Sequence, residues 1–153
     1  MYSLLSFIGI LIGILIAKYT KEELKQGKKY FLWVERASLI LILLVIAFNF
    51  KLSWLVLIGL VAGYFIPVQY LAFGLILISF ENIIIACLIF IYGLPYGSLI
   101  NKDKTKRVLK ELILFIIPAL LLINNFGLMY QKELISVAAG ILLIRGVNWS
   151  FKK

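Results

Sequence analysis

Glu81 followed by Asn82 is the pair best placed to do chemistry, because it interrupts a long apolar stretch running from 68 to 100. A carboxylate inside hydrocarbon costs at least ~2.5 kcal/mol on insertion scales, so it faces a cavity or a partner. Such a group suits proton exchange or cation binding. Gln69, Asn49, Ser79, Asn124 and Asn125 are candidate neutral oxygen ligands for it, and Tyr64, Tyr70 and Tyr92 are candidate hydroxyl groups. Pro67 would interrupt a helix beside Gln69, and interrupted helices near the membrane midplane recur at transporter binding sites. The candidate pathway therefore comprises Pro67, Gln69, Glu81 and Asn82. The competing reading of Glu81-Asn82 is a polar turn between two short helices.

Other chemistries are excluded by what the chain lacks. There is no histidine, which removes imidazole bases and His-ligated zinc or haem. Cys87 is the single cysteine and sits in an apolar run, where it reads as a small packing residue. Asp103 is the only aspartate, so two-carboxylate or two-metal catalysis has few groups to draw on. No Gly-rich phosphate loop or Gly-x-Ser-x-Gly elbow is present. The expectation is a protein that is not an enzyme and needs no cofactor or metal.

The elements that must position Glu81 are helices in a lipid bilayer. Apolar residues make up 63% of the 153, and charged residues only 15%, well away from soluble domains. Apolar segments lie at 2–17, 32–50, 52–66, 68–80, 83–100, 109–123 and 133–149, and basic loops at 18–31 and 101–110. The fold class expected is an all-α integral membrane protein, a polytopic transmembrane helix bundle forming one domain over 1–153. The first apolar segment is not a signal peptide, since its lysines follow it, and the mature chain is expected to begin at Met1.

Within the first loop, Thr20 and Glu23 match a capping box and Gly27 a helix stop, which predicts a short interfacial helix. Tyr30, Phe31 and Trp33 then supply an aromatic belt where the second membrane helix begins. Glu35 and Arg36 read as boundary residues of that helix. Glu133 suits the start of the last helix, and Arg145 can snorkel to the interface beside Trp149. Pro118 marks a further interruption. The run Gly93-Leu94-Pro95-Tyr96-Gly97 is not expected to be regular helix throughout.

Charge separates two topologies. If 68–100 is one helix, six crossings put the basic loops on opposite faces, and Lys and Arg divide seven against nine. If the chain is interrupted near Glu81, both loops share a face and the division is fourteen against two. Only the second has the cytoplasmic excess of basic residues expected of a membrane protein. It places the N-terminus outside and the basic loops in the cytoplasm, in the cell membrane. Its segments 52–66 and 68–80 are then too short for a ~30 Å hydrocarbon core, so short, broken or re-entrant helices are expected around 52–80. Against it, Ala72, Ser79, Ala86 and Gly93 recur every seven residues, as a packing stripe on one continuous helix would.

Gly9, Gly13 and Ala17, then Gly59 and Gly63, then Ser136 and Gly140, are spaced by four. Small residues at this spacing let helices approach closely, within the chain or in a homo-oligomer. The net charge of +9 falls in loops and tail rather than in a folded basic domain, which favours anionic headgroups and argues against nucleic acid. Two functions fit: a transporter or channel component with an intramembrane carboxylate, working as a homo-oligomer or with another membrane subunit; or a non-catalytic membrane subunit or assembly factor whose basic loops bind a partner or lipid.

Overall fold

The computed structural model describes residues 2–65, 69–80, 82–99, 104–118 and 129–148. Pro67 and Glu81 lie outside them. The described residues are helical, without strands: α1 (Tyr2–Tyr19), α2 (Lys21–Asn49), α3 (Val56–Phe65), α4 (Gln69–Ser79), α5 (Ile83–Leu99), α6 (Lys104–Ile116) and α7 (Gln131–Asn148). One stretch, Gly27–Asn49 of α2, is long and apolar enough to cross a membrane. Ser6–Tyr19, Val56–Phe65, Gln69–Ser79 and Ile83–Leu99 are apolar but shorter.

Thr20 alone separates α1 from α2. Its backbone N–H and its hydroxyl both donate to the Ile16 carbonyl, at 2.9 and 2.8 Å, closing the last turn of α1. A helix does begin after Thr20, but it does not stop at Gly27: α2 is continuous over 29 residues. A helical glycine costs only ~1 kcal/mol relative to alanine, too little to end a long helix without a structure that bends the chain away. The sequence expectation for 93–97 is corrected in the same sense. Helix α5 runs unbroken through Pro95. The prolyl nitrogen gives no bond to Ile91, and the Ser98 hydroxyl donates to the Pro95 carbonyl at 2.8 Å.

Packing forms two units, Met1–Ile42 with Asn82–Leu109, and Leu43–Glu81 with Lys110–Lys153. In the first, α1 packs on α5. A methyl group added at Gly9 would overlap the Phe90 carbonyl, and one at Gly13 the Leu94 carbonyl. Contacts on both helices advance by four together, so α1 and α5 run parallel with their backbones touching. Ala17 continues the buried side of α1.

In the second unit α3 and α4 both pack on α7. Gly59 lies against Val137 and Gly140, and Gly63 against Ile141 and Ile144, which makes α3 and α7 parallel as well. The Ser53 N–H donates to the Ser136 hydroxyl at 3.0 Å, and that hydroxyl donates to the Lys132 carbonyl at 2.7 Å. Helix α4 is buried on nearly every side, as a helix apolar all round must be. Its Gly74 sits beside Phe115 and Pro118, and the Gln131 side-chain amide donates to the Ser79 carbonyl. Glu133 lies in the first turn of α7, as expected.

Helices α4 and α5 are separate, so the seven-residue stripe of Ala72, Ser79, Ala86 and Gly93 is not one face of one helix. Cys87 is exposed on α5 rather than packed inside.

The small-residue faces give a contrast that can be measured. Gly13→Leu forces side-chain atoms into the backbone of α5 and should cost about 3 kcal/mol. Around Gly27 a Cβ would meet nothing nearer than the Phe31 ring at 3.5 Å, so Gly27→Ala should stabilise α2 by about 0.5–1 kcal/mol. Thermal unfolding in detergent reads both. Equal midpoints for the two variants would contradict the packing described.

Candidate functional site

The carboxylate that the structure surrounds with partners is Glu35. It lies on the face of α2 that also carries Ser38, Leu39, Ile42 and Ile46, all buried, while Trp33, Ile40, Leu41, Leu44 and Phe48 on the other sides are exposed. That spacing of three and four is helical periodicity, with a glutamate in a position where leucine would be ordinary. Glu35 is 5% exposed. The Tyr92 hydroxyl of α5 donates to its Oε1 at 3.1 Å. Tyr92 is itself fully buried and stacks on Tyr96 one turn later, with ring centroids 5.9 Å apart. One turn beyond Glu35, the Ser38 hydroxyl donates to the Val34 carbonyl and lies 3.4 Å from the Glu35 carbonyl.

The close α1–α5 contact sets this geometry. Gly93 must face α1 for the backbones to meet, since its missing side chain is where Gly9 and Ile10 lie. The residue before it then projects about 100° round the helix, toward α2. Tyr92 is that residue.

A carboxyl buried in this way can hold or release a proton, and the phenol can steady either form. It is poorly equipped as a metal site. A hard cation needs about six oxygen ligands, whereas the Tyr92 phenol turns its proton toward Glu35. Among the described residues no group of three or more His, Cys, Asp or Glu could hold a metal ion.

The residues singled out from sequence fare differently. Asn82 is a helix cap: its Oδ1 accepts the Ile84 N–H at 2.8 Å, the bond an N-cap side chain makes to the second residue of a helix. Gln69 is buried at the start of α4. Asn49 is exposed, and its amide donates to the Val45 carbonyl at 2.7 Å. Tyr64 is exposed. Tyr92 is indeed a hydroxyl partner of a carboxylate, but of Glu35. Asn124 and Asn125 lie outside the described residues, with Pro67 and Glu81.

Two buried glutamates were not marked as functional by the sequence. Glu35 stands beside Arg36 at the edge of a basic loop and so reads as a boundary residue. Glu111 follows Lys110 and was masked in the same way. Glu111 is 7% exposed, while Leu109, Ile113 and Ile116 around it face outward. One turn on, the Phe115 ring meets that of Tyr70 at 6.1 Å. The available signal was periodicity, since each glutamate shares a helical face with apolar residues that must be inside.

Comparison with protein-family models, with curated proteins and with solved structures finds no match for this chain.

The role of Asn82 is open to a direct test. Asn82→Ala should lower stability by about 1 kcal/mol, whereas Asn82→Asp, which keeps an acceptor at the cap, should not. Equal thermal midpoints for the alanine variant and the parent would remove the cap assignment. Tyr92→Phe deletes a hydrogen bond to a buried carboxylate and should cost about 1.5–3 kcal/mol in the same measurement. A cost no larger than that of Tyr64→Phe would show that the Tyr92–Glu35 bond carries little.

Proposed function

We propose that this chain is a small polytopic membrane protein that moves protons across the bilayer, as a transporter or channel component, through the intramembrane carboxylate Glu35. The observation that carries this reading is an inverted polarity. Glu35 and Glu111 are buried, while Leu11, Leu15, Leu44, Phe48, Leu57 and Val61 are exposed. In water that arrangement loses on both counts, because it leaves apolar area wet and desolvates charge. In hydrocarbon the same arrangement is favourable, and an ionisable group turned inward is by default functional.

Direction of packing supports one topology. Parallel helices that both cross a bilayer have an odd number of crossings between them. A fused 68–100 helix would leave two between α1 and α5, against their parallel contact. We therefore take α1, α2, α5, α6 and α7 as crossings, with the N-terminus outside and the loops 18–31 and 101–110 in the cytoplasm beside anionic headgroups. Helices α3 and α4 have 10 and 11 residues, roughly 15 and 17 Å long, about half a hydrocarbon core. We take them as a re-entrant pair that enters from the outer face.

Topology is tested on a Cys87→Ser background with single cysteines at Gln26, Thr105 and Gln131 and an impermeant thiol reagent on intact cells. The expected pattern is protection of the first two and labelling of the third. Labelling at Thr105 with protection at Gln26 would restore six crossings.

Function is tested in liposomes holding a potassium gradient with valinomycin and an internal pH dye. The protein should acidify or alkalinise the lumen according to the sign of the potential. Glu35→Gln should slow this at least tenfold, and Glu81→Gln should leave it near the parent rate. Unchanged flux in Glu35→Gln would end the assignment. A parent protein no more permeable than empty liposomes would favour the other reading, a non-catalytic subunit or assembly factor. Charge reversal at Lys102, Lys104 and Lys106 should then release its partner.

A further inference from the structure

Contacts between the parallel helices repeat with a constant offset. In the first unit Gly13 meets the Leu94 carbonyl and Gly97 meets the Ile10 carbonyl. The residues that play the same part on the two helices are 84 positions apart, Leu94 and Ile10 giving the carbonyl and Gly97 and Gly13 the glycine. In the second unit Gly59 meets the Val137 carbonyl and Gly140 meets the Val56 carbonyl. Here the offset is 81, Val137 after Val56 and Gly140 after Gly59. Reciprocal exchange at equivalent positions is the signature of a local two-fold axis, which between parallel helices runs along them. Parallel helices that meet through small residues spaced by four make this exchange, and here it occurs in both units, between helices that occupy corresponding places in the two halves of the chain.

For the helices between, α2 and α6, alignment of the sequences at an offset of 76 sets Glu35 against Glu111. Burial agrees at most positions, Arg36 with Leu112 and Ser38 with Leu114 excepted. Glu35, Leu39 and Ile42 are buried, as are Glu111, Phe115 and Pro118; Ile40 and Leu41 are exposed, as are Ile116 and Ile117. In sequence each glutamate is followed fourteen residues later by Asn-Phe, at Asn49-Phe50 and Asn125-Phe126. Each is preceded by a lysine-rich segment and, before that, by a helix with Gly-x-x-x-Gly, at Gly9 and Gly13 and at Gly93 and Gly97. The offsets differ because the second basic segment is shorter and the segment before α7 longer.

We infer that the chain is a duplicated three-helix unit, α1–α2–α3 and α5–α6–α7 with α4 between. On this reading Glu111 is the counterpart of Glu35, a second carboxylate site that takes up and releases a proton. Both copies run the same way through the bilayer, as parallel repeats in secondary transporters do. The inference rests on the proposed membrane role of Glu35 and extends it to a residue that no sequence motif marks.

Dicyclohexylcarbodiimide in membranes tests this. It partitions into lipid and reacts only with a protonated carboxyl: the acid proton goes to one nitrogen and the carboxyl oxygen bonds to the central carbon. The acyl group then shifts to nitrogen, leaving a stable N-acylurea. A carboxylate in water carries no such proton near neutral pH and is out of its reach. Intact mass with peptide mapping of the parent protein should show two adducts, at Glu35 and at Glu111, both declining as pH rises. Glu35→Gln should keep the Glu111 adduct, and Glu111→Gln the Glu35 adduct. Because the parent alone shows both positions, a variant that fails to fold does not spoil the test. An adduct on Glu35 without one on Glu111 would overturn the inference and leave the proposed function standing. Absence of both would overturn the two together.

Discussion

The backbone contact between α1 and α5 is the constraint on which the candidate site depends. It exists because Gly9, Gly13, Gly93 and Gly97 remove side chains at the points where two parallel helices meet. Once α5 is held by that face, the directions of its other side chains are fixed by the helical repeat. Tyr92 is turned toward α2 and meets Glu35 at hydrogen-bonding distance. The contact is steric before it is chemical, and it acts on the carboxylate through the rotation of one helix. A second contact of the same kind, Gly59 with Gly140, orders α3 on α7 in the other unit. Small residues do this because dispersion and weak hydrogen bonds grow rapidly as backbones approach.

The sequence made the packing faces legible and the carboxylate illegible, for one physical reason. Spacing by four is a geometric property of any helix, so Gly9, Gly13, Ala17, Gly59 and Gly63 announce a close face whatever lies opposite. Which carboxylate is buried depends on rotation about the helix axis, which only the neighbours determine. Glu35 and Glu111 stand next to cations and at the ends of basic runs, where local reasoning assigns them to a solvated boundary. Glu81 stands alone in an apolar stretch and attracts the functional reading instead. Its neighbour Asn82 has a local duty, capping α5, that explains a polar residue at that point without any chemistry.

Errors about helix ends have a related cause. Gly27 and Pro95 are residues that disfavour helix, by amounts near 1 and 3 kcal/mol. Each sits in a helix whose remaining backbone bonds and buried face outweigh that preference, 29 residues long in one case and 17 in the other. By contrast the break after α4, near Glu81, was foreseen, while Pro67 lies outside the described residues. There the helix concerned has only 11 residues, so little cooperative structure was available to carry it through an unfavourable residue.

The polarity of α6 is the reverse of what a surface helix in water would show, even though the helix itself is amphipathic. A surface helix in water would turn Glu111 and Lys110 outward together and hide Leu109, Ile113 and Ile116. Instead Lys110 is exposed with those apolar residues and Glu111 is inside with Phe115. An exposed lysine among exposed leucine and isoleucine is what a lipid interface allows, because a long side chain can carry its ammonium to the headgroups while its stem stays among the chains. No comparable route exists for a buried glutamate, which must be met by the protein. Helix α2 repeats the arrangement, with Arg36 and Trp33 outward and Glu35 inward. At each of these places the cation, Arg36 or Lys110, is outside and the neighbouring carboxylate, Glu35 or Glu111, is inside. Solvation by water would not distinguish the signs in this way, whereas the anionic headgroups and inward proton pathway of the proposed function would.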